Sequence, residues 1–254
     1  MIENYLEKKE NPTWDKEIEL TKRVVHAVNQ MSPKPKFFVV CGDLVDAFPG
    51  NKLRKDQIQD FIKVFSELED IPLICVCGNH DVGNIPTIET IDDYRQKFGD
   101  DFFVFFVGGV MFIAINSQYY ADSSKVAAYA KEQQEWLDNL LSRTTSYRHV
   151  VVFQHIPWFL DTPEEQDNYF NIEKKLREQM LEKFHKAGVK AIFCGHYHRN
   201  AGGRYKNTEV VVTSAIGAQL GNDGSGVRIV KMLTDSIQHQ YYAIDQLPVH
   251  VKLE

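Results

Sequence analysis

The chain of 254 residues lacks the long apolar runs and the excess of positive charge on which several protein classes depend. Its longest apolar region, residues 102–115, is split by Gly108 and Gly109 and is too short to span a membrane. Its first residues are charged, so they contain no apolar signal-peptide stretch. Its 35 acidic residues outnumber 29 basic ones, which argues against binding to a nucleic-acid backbone. We therefore expect a cytoplasmic monomer with no membrane or nucleic-acid partner.

Cysteine is also scarce, and its spacing excludes a zinc ribbon. The four cysteines are Cys41, Cys75, Cys77 and Cys194. No C-x-x-C pair occurs, and each thiol lies in or beside an apolar run, where it packs as a small hydrophobic side chain. The sequence also has no Pro/Gly/Ser-rich linker and no repeats. We therefore expect a charged leader over residues 1–13 and a single domain over residues 14–254.

Helical and strand-like segments alternate along the chain. Apolar residues at helical spacing predict helices near residues 24–31, 58–68, 136–141 and 176–184. Short runs rich in Val, Ile and Phe predict buried strands over residues 37–41, 71–77, 149–153 and 189–194. A hairpin is predicted at residues 102–116, and further strands at 209–216, 226–233 and 239–244. This order indicates a mixed α/β protein whose second sheet is formed largely from the late strands.

Polar side chains follow four of the predicted buried strands. They are Asp43, the run Asn79, His80 and Asp81, then His155, and finally His196 and His198. In open α/β sheets, ligands bind outside the carboxyl ends of the strands, so these groups are expected to converge. Carboxylate, amide and imidazole donors together suit Mn, Fe or Zn better than Ca. A carboxylate shared by two such ions would favour phosphoryl-transfer chemistry.

Each piece taken alone has a simpler interpretation. A Gly-Asp pair after a strand is usually a turn or a helix cap. The run at Asn79 could be a hairpin turn, and His155 could be a hydrogen-bonded core histidine. The pair His196 and His198 is the most specific, because alternate residues after a strand can reach one centre. The four pieces in this order favour a metal site.

These motifs resemble those of the calcineurin-like metallophosphoesterase superfamily, over nearly the whole chain from about Trp14. Four of the five motif blocks of that family are matched. The resemblance implies a four-layer αββα sandwich of two mixed sheets that holds two divalent cations of the Mn, Fe, Zn or Mg class. The resemblance also implies that the chain is similar to a group of cytosolic serine/threonine protein phosphatases. The substrate of such an enzyme is a phosphoprotein.

The resemblance further implies a role for each motif residue. Asp43 would bridge the two ions and His198 would bind the first ion. The coordination of the second ion would be completed by Asn79, His155 and His196. His80 would protonate the leaving oxygen, and Asp81 would orient its imidazole. The nucleophile would be a metal-bound hydroxide. Weaker candidates for substrate contacts are Tyr197, Arg199 and Asn200.

The sequence departs from the family at its first motif block. That block is an Asp-x-His or Asp-x-Gln at the end of a first strand, and here only Asp15 precedes Asp43. We therefore expect the first core strand to be missing, with the neighbouring strand edges unpaired. We also expect the first metal site to be incomplete, because it would retain only Asp43 and His198.

The sequence is compatible with three functions. The first is a metal-dependent phosphomonoesterase of the protein serine/threonine phosphatase type. The second is a phosphodiesterase acting on cyclic nucleotides or other small esters. The third is a catalytically impaired binding protein that keeps the scaffold without turnover, since the first metal-ligand block is absent. Fold and metal site do not by themselves select among these substrates.

Overall fold

A computed structural model describes residues 13–253 of the chain. The helices are α1 (Asp15–Asn29), α2 (Arg54–Phe65), α3 (Asn79–Val82), α4 (Ile88–Phe98), α5 (Gln118–Ala121), α6 (Ala127–Leu141) and α7 (Lys174–Lys186). The predicted helices correspond to α1, α2, α6 and α7. No helix within these residues is long and apolar enough to cross a membrane. The predicted leader lies outside the described residues except for Thr13.

The strands form one large and two small sheets. Their bounds are β1 (Phe38–Val40), β2 (Leu73–Cys75), β3 (Phe103–Val107), β4 (Val110–Ala114), β5 (His149–Phe153), β6 (Val189–Cys194), β7 (Ala201–Tyr205), β8 (Thr208–Val212), β9 (Gly226–Met232) and β10 (Ile237–Ala243). The large sheet has the order β3-β4-β5-β6-β8-β7. Its four inner strands are parallel, and its two edge strands are antiparallel to their neighbours.

The small sheets face the inner side of the large one. β1 pairs with β2 in parallel, and β9 pairs with β10 in an antiparallel ladder. One core cluster joins Phe112 and Phe153 of the large sheet to Val39 of β1 and Val230 of β9. This contact between sheets requires apolar residues on both partners.

Helices cover the outer faces of both sheet layers. The cluster beyond the large sheet includes Leu137 of α6 and Phe184 of α7. The cluster beyond β1 and β2 includes Val25 of α1 and Phe61 of α2. The fold is therefore the expected α/β sandwich of four αββα layers.

The second layer is interrupted within the part of the chain that the structure describes. Among residues 13–253, β1 pairs only with β2 and β9 pairs only with β10. The residues before β1 form α1 instead of a strand. A cavity of about 1740 Å³ lies between the two small sheets and is lined by residues of both β1 and β9. The late strands thus supply only half of this layer, and the early pair β1–β2 supplies the rest.

Candidate metal centre

The loops after β1, β2, β5 and β6 converge at one end of the sandwich. Parallel strands carry their following residues to the same edge, so distant parts of the sequence meet there. Asp43, His196 and His198 all adopt a left-handed backbone, with φ between 54° and 67°. Such strained positions in residues other than glycine are concentrated at functional sites. Two of the four motif loops, those after β1 and β6, therefore hold predicted ligands in a left-handed conformation.

Four of the predicted ligands bring a donor atom to one point. His155 Nε2 lies 3.2 Å from Asp43 Oδ2, 3.0 Å from Asn79 Oδ1 and 3.1 Å from His196 Nδ1. Ligand atoms that are each ~2.1 Å from an ion and at right angles to one another lie ~3.0 Å apart. Asp43, His155 and His196 form the one cluster of this kind found within residues 13–253. The spacing of these atoms fits a single transition-metal cation.

Hydrogen bonds on the side of these side chains that points away from the centre determine which atom of each one faces it. His155 Nδ1 donates to the carbonyl of Cys41 at 2.7 Å, and His196 Nε2 donates to the carbonyl of Tyr169 at 3.0 Å. Asn79 Nδ2 donates to Asn84 Oδ1, which directs Asn79 Oδ1 inward. Since a carbonyl can only accept, both outer ring nitrogens carry protons. The inner atoms therefore converge, and with His155 neutral all of them offer lone pairs that a cation could bind.

The electrostatics of the cluster agree with this arrangement. Burial alone would raise the pKa of Asp43, but the imidazoles of His155 and His80 hold it well below its ordinary value. Burial and the neighbouring His155 lower the pKa of His196 to about 3. Burial also opposes charge on His155, yet Asp43 raises the pKa of that imidazole. The cluster thus favours one positive charge at its centre, and a bound metal ion would supply that charge in place of a proton.

His80 lies beside the cluster without belonging to it. Its Nε2 is 3.9 Å from Asp43 Oδ2, and its ring packs at a tilt of 34° against Phe48 with centroids 4.2 Å apart. Its Nδ1 contacts the backbone carbonyl of Asp46 at 2.5 Å, so Nδ1 is the donor and Nε2 faces the cluster. This position suits a proton donor for a ligand bound at the centre.

The contacts of Asp81 differ from the expectation that this carboxylate orients the imidazole of His80. Its Oδ1 accepts from the Leu44 amide at 3.0 Å, and its Oδ2 accepts from the Gly78 amide at 2.8 Å. Burial and the Asp43 charge raise the pKa of Asp81 to about 7. Asp81 therefore ties together the loops after β1 and β2, and the Asp46 carbonyl orients the imidazole instead.

Arg54 of α2 supports the same loops and was not identified from the sequence. Its buried guanidinium donates to the carbonyls of Ala47, His80 and Asp81 at distances of 2.8, 2.9 and 2.5 Å. A planar cation with several donors can satisfy three carbonyls that a turn leaves unpaired. Arg54 thus holds the backbone on both sides of the His80 side chain. Its place in an ordinary amphipathic helix gave no sequence signal of this role.

The loop before α7 supplies two further contacts. Tyr169 OH lies 3.3 Å from Asn79 Nδ2, and the Tyr169 carbonyl contacts His196. Arg177, fully buried in α7, donates to the carbonyls of Pro163, Glu165 and Ile172. The guanidinium therefore holds in place the loop that orients His196. The sequence of this loop has no motif, so only the tertiary contacts identify it.

His198 stands apart from the four-atom cluster. Its Nδ1 contacts the carbonyl of Ala218 at 2.7 Å, which leaves Nε2 as the ring nitrogen with a lone pair that could bind a cation. It lines the same cavity as Asp43 and Asp46, together with Glu17 of α1. The described residues thus assemble one compact group that could hold a metal ion, and His198 with nearby carboxylates lies outside it.

The three weaker candidates make contacts of other kinds. Tyr197 packs edge-on against Phe170, with centroids 5.1 Å apart, and the Arg199 guanidinium lies 5.0 Å from the Tyr197 ring centroid. Asn200 Oδ1 accepts from Arg228 and from the Ser214 amide. Asn200 is therefore engaged in joining the β6 loop to β9, and the structure does not bring these three residues into the cluster.

The close approach of two loops at Gly78 leads to a prediction for Gly78→Ala. An added Cβ would lie 2.2 Å from the Asp43 amide nitrogen and 2.4 Å from Asp43 Oδ1, although the backbone at φ −116° accepts any residue. We expect metal affinity to fall ~10–100-fold, as it does when groups that support ligands are disturbed. Calorimetric titration with Mn²⁺ measures this change.

Gly50→Ala is the matched control, because φ is +87° there and nothing lies within 4 Å of the added Cβ. We expect a cost of ~1–2 kcal/mol in folding stability from the left-handed backbone, with metal affinity unchanged. Equal metal affinity in the two variants would contradict the close approach of Gly78 to Asp43.

Comparison with known proteins agrees with the motif pattern. Residues 14–200 match the family described as calcineurin-like phosphoesterase. The serine/threonine-protein phosphatase CPPED1 of Bos taurus is 52% identical over 237 residues, which cover 92% of this chain and 76% of that protein. The protein of the same name from Homo sapiens is 49% identical over 238 residues, with the same coverage.

Solved structures share the fold at low sequence identity. The match to GAP50, the anchor in the inner membrane complex of Plasmodium, has a TM-score of 0.66 at 13% identity, covering 91% of this chain and 82% of that one. A dimetal phosphatase from Danio rerio, LOC 393393, has a TM-score of 0.58 at 15% identity, covering 84% and 82%. At these identities the likeness concerns the fold alone.

Proposed function

The chain belongs to the calcineurin-like phosphoesterase family, and we propose that it is a metal-dependent phosphomonoesterase acting on phosphoserine and phosphothreonine in proteins. The observation that carries this proposal is the convergence of Asp43, Asn79, His155 and His196 on one cation-sized centre. Their oxygen and imidazole donors fit Mn, Fe or Zn.

The bound metal would polarise the phosphate ester and supply an activated water for hydrolysis. The side chains of this protein would hold the ion and position the ester. Asp43, Asn79, His155 and His196 would hold the ion, with the carbonyls of Cys41 and Tyr169 keeping both imidazoles in the metal-binding tautomer. We further propose that Asp43 and His198 contribute to a second ion.

His80 would act on the leaving group. Its Nδ1 is engaged by the Asp46 carbonyl, so Nε2 is directed at the centre where the ester would bind. A proton delivered from this nitrogen would neutralise the departing serine or threonine alkoxide. Phe48 and Arg54 hold the imidazole and its backbone in that position.

The protein substrate is inferred from the relatives. Serine/threonine-protein phosphatases from Bos taurus and Homo sapiens are about half identical to this chain across most of its length. We also propose a cytoplasmic location and a monomeric state. All four cysteines are free, as a reducing compartment would keep them.

Comparing two substrates tests this function. We expect the Mn²⁺-loaded protein to release phosphate from a phosphothreonine peptide at least ~10-fold faster than it cleaves bis-(p-nitrophenyl) phosphate at equal concentration. Phosphate release is followed by a colorimetric assay. A reversed preference would favour a phosphodiesterase.

Chelation provides the accompanying control. Dialysis against EDTA is expected to abolish phosphate release, and added Mn²⁺ to restore it, because the convergent donor atoms require a cation. Protein that binds Mn²⁺ and a phosphopeptide but releases no phosphate would support the binding-protein alternative.

A further inference from the structure

A row of aromatic rings leads away from the candidate metal centre. Tyr169 lies at its start, with its ring centroid 5.0 Å from that of His196 and its hydroxyl 3.3 Å from Asn79 Nδ2. Tyr169 is nevertheless 45% exposed. Because this residue contacts two predicted metal ligands and also solvent, its ring lies at the edge of the centre.

Two further rings continue the row. Phe170 packs edge-on against Tyr169, with centroids 5.2 Å apart, and edge-on against Tyr197, with centroids 5.1 Å apart. Phe170 and Tyr197 are both partly exposed. Each step between rings exceeds the ~3.3 Å by which one residue advances an extended chain, so the row is long enough for several residues of a bound peptide. Tyr169, Phe170 and Tyr197 are here called the aromatic rim.

A positive charge lies at the far end of the aromatic rim. The Arg199 guanidinium carbon is 5.0 Å from the Tyr197 ring centroid, within the range of a cation–π contact. The stem of Arg199 packs beside Gly221, where an added Cβ would lie 3.3 Å from Arg199 Cγ and Cδ. The ring and the glycine thus restrict a flexible side chain, which lowers the entropy cost of binding a ligand through it.

The guanidinium of Arg199 has no acidic partner within residues 13–253. It forms no ion pair there, although four other arginines do. Asp223, in the loop that contains Gly221, accepts from the Asn200 amide at 2.9 Å instead. The protein has a net charge of −6, so its overall field disfavours acidic peptides. Attraction of an acidic peptide would therefore come from local cations such as Arg199.

We propose that the aromatic rim and Arg199 bind the substrate peptide beside its phosphorylated residue and select for carboxylate side chains within about four positions on one side of it. The rings would pack along the peptide, and the guanidinium would bind the carboxylate through two parallel hydrogen bonds. This selection rests on the proposed function, because the phosphorylated residue would occupy the metal centre. Along the row, Phe170 and Tyr197 separate His196 from the guanidinium, so Arg199 would bind a neighbouring residue and not the transferred phosphate.

Phosphothreonine peptides test the selection on the Mn²⁺-loaded full chain. A reference peptide carries alanine at the second to fourth positions on both sides, and two others carry aspartate there on the N-terminal or the C-terminal side. We expect one aspartate peptide to have a KM ~3–10-fold below that of the reference, with kcat nearly unchanged, because the contact is made equally in the bound state and the transition state. Equal KM for all three peptides would overturn the proposal. An equal gain from both sides would reflect the charge of the metal centre and would overturn it as well.

Arg199→Glu reverses the charge at the end of the rim. This variant is expected to lose the aspartate preference and to prefer, by ~3–10-fold, a peptide with lysine at the same positions. If p-nitrophenyl phosphate hydrolysis falls in this variant as much as hydrolysis of the aspartate peptide, Arg199 contacts the transferred phosphate and the proposal is wrong.

Arg143→Glu is the matched control, because it makes the same change of charge far from the rim. Arg143 is exposed, forms no ion pair within the described residues, and lies before the start of β5, whereas His155 follows the end of that strand. The control should keep the aspartate preference. Loss of the preference in both variants would show that it depends on net charge and would overturn the proposal.

Tyr197 is a positioning residue for this selection, because it acts through the guanidinium. Tyr197→Leu removes the ring face under Arg199 and is expected to lower the aspartate preference ~2–3-fold, whereas Tyr197→Phe keeps that face and should keep the preference. The ratio of the two KM values measures the effect. Equal loss in both variants would contradict the role of the ring.

Binding without turnover separates this selection from the proposed phosphatase activity. Fluorescence anisotropy measures the affinity of the metal-loaded chain for labelled peptides in which a phosphonate replaces the phosphate ester. The same ~3–10-fold preference for one aspartate peptide is expected, and Arg199→Glu should remove it. Phosphate release without this preference would overturn the selection and leave the activity standing. The preference without phosphate release would support the selection and contradict the activity.

Discussion

Asp43→Ala is expected to reduce metal affinity more than ~100-fold and to abolish metal-dependent phosphate release. Asp43 supplies the only carboxylate within the described metal cluster, 3.2 Å from His155 Nε2. Without this negative charge only three neutral donors remain, and they offset less of the desolvation of the ion. Disturbing groups that merely support a ligand costs 10–100-fold, so loss of a ligand itself should cost more. Elemental analysis after dialysis measures the bound metal.

Asp70→Ala is the matched control for this prediction. Asp70 has φ 56°, close to the 54° of Asp43, but is exposed and remote from the cluster. Both alanine variants bear the same left-handed strain, so a difference between them reports the carboxylate. Asp43→Asn keeps the shape of the side chain and tolerates this backbone, and it should lose metal as well. Full metal content in Asp43→Asn would show that the charge of Asp43 is not required.

His80→Ala is expected to lower kcat by ~10²–10⁴-fold while leaving metal content near that of the unaltered protein. A well-placed proton donor contributes this much to a hydrolytic step. The His80 ring contacts Phe48 and the Asp46 carbonyl, whereas the amide of His80 supports Asp43 Oδ1 at 2.9 Å. Alanine retains that amide, so the cluster should persist. Steady-state kinetics on a phosphothreonine peptide measures the change.

The leaving group provides a sharper test of the same role. With p-nitrophenyl phosphate, whose leaving group needs little protonation, His80→Ala should lose much less activity than with the peptide. His26→Ala, at an exposed position of α1, is the control and should match the unaltered protein on both substrates. If His80→Ala empties the metal site, His80 has a structural role and its assignment as the proton donor is wrong.

Much of the fold was predictable because buried strands and amphipathic helices have clear periodicities. The run at Val150 to Phe153 reads as a strand in the sequence, and the structure has β5 there. His155 could be placed near Asp43 only on the assumption that strand ends share one sheet edge. Their atoms lie 3.2 Å apart across more than one hundred residues of sequence.

The part that could not be predicted depends on contacts between loops. The family resemblance implies that Asp81 orients His80, but the oxygens of Asp81 bond to the Leu44 and Gly78 amides. Local spacing does not determine which backbone groups a buried carboxylate satisfies. The supporting roles of Arg54 and Tyr169 were missed for the same reason, since neither belongs to a motif.

The sequence by itself determined the α/β class, the residues that could bind a metal, and the absence of a strand before β1 within the described residues. These features depend on hydrophobic periodicity and on residue chemistry, which are local properties. Only the tertiary structure decided that four donor atoms meet while His198 lies outside them. It also decided that, within residues 13–253, β1 pairs only with β2 and β9 pairs only with β10. Both outcomes depend on how sheets and loops pack in three dimensions, which sequence spacing does not specify.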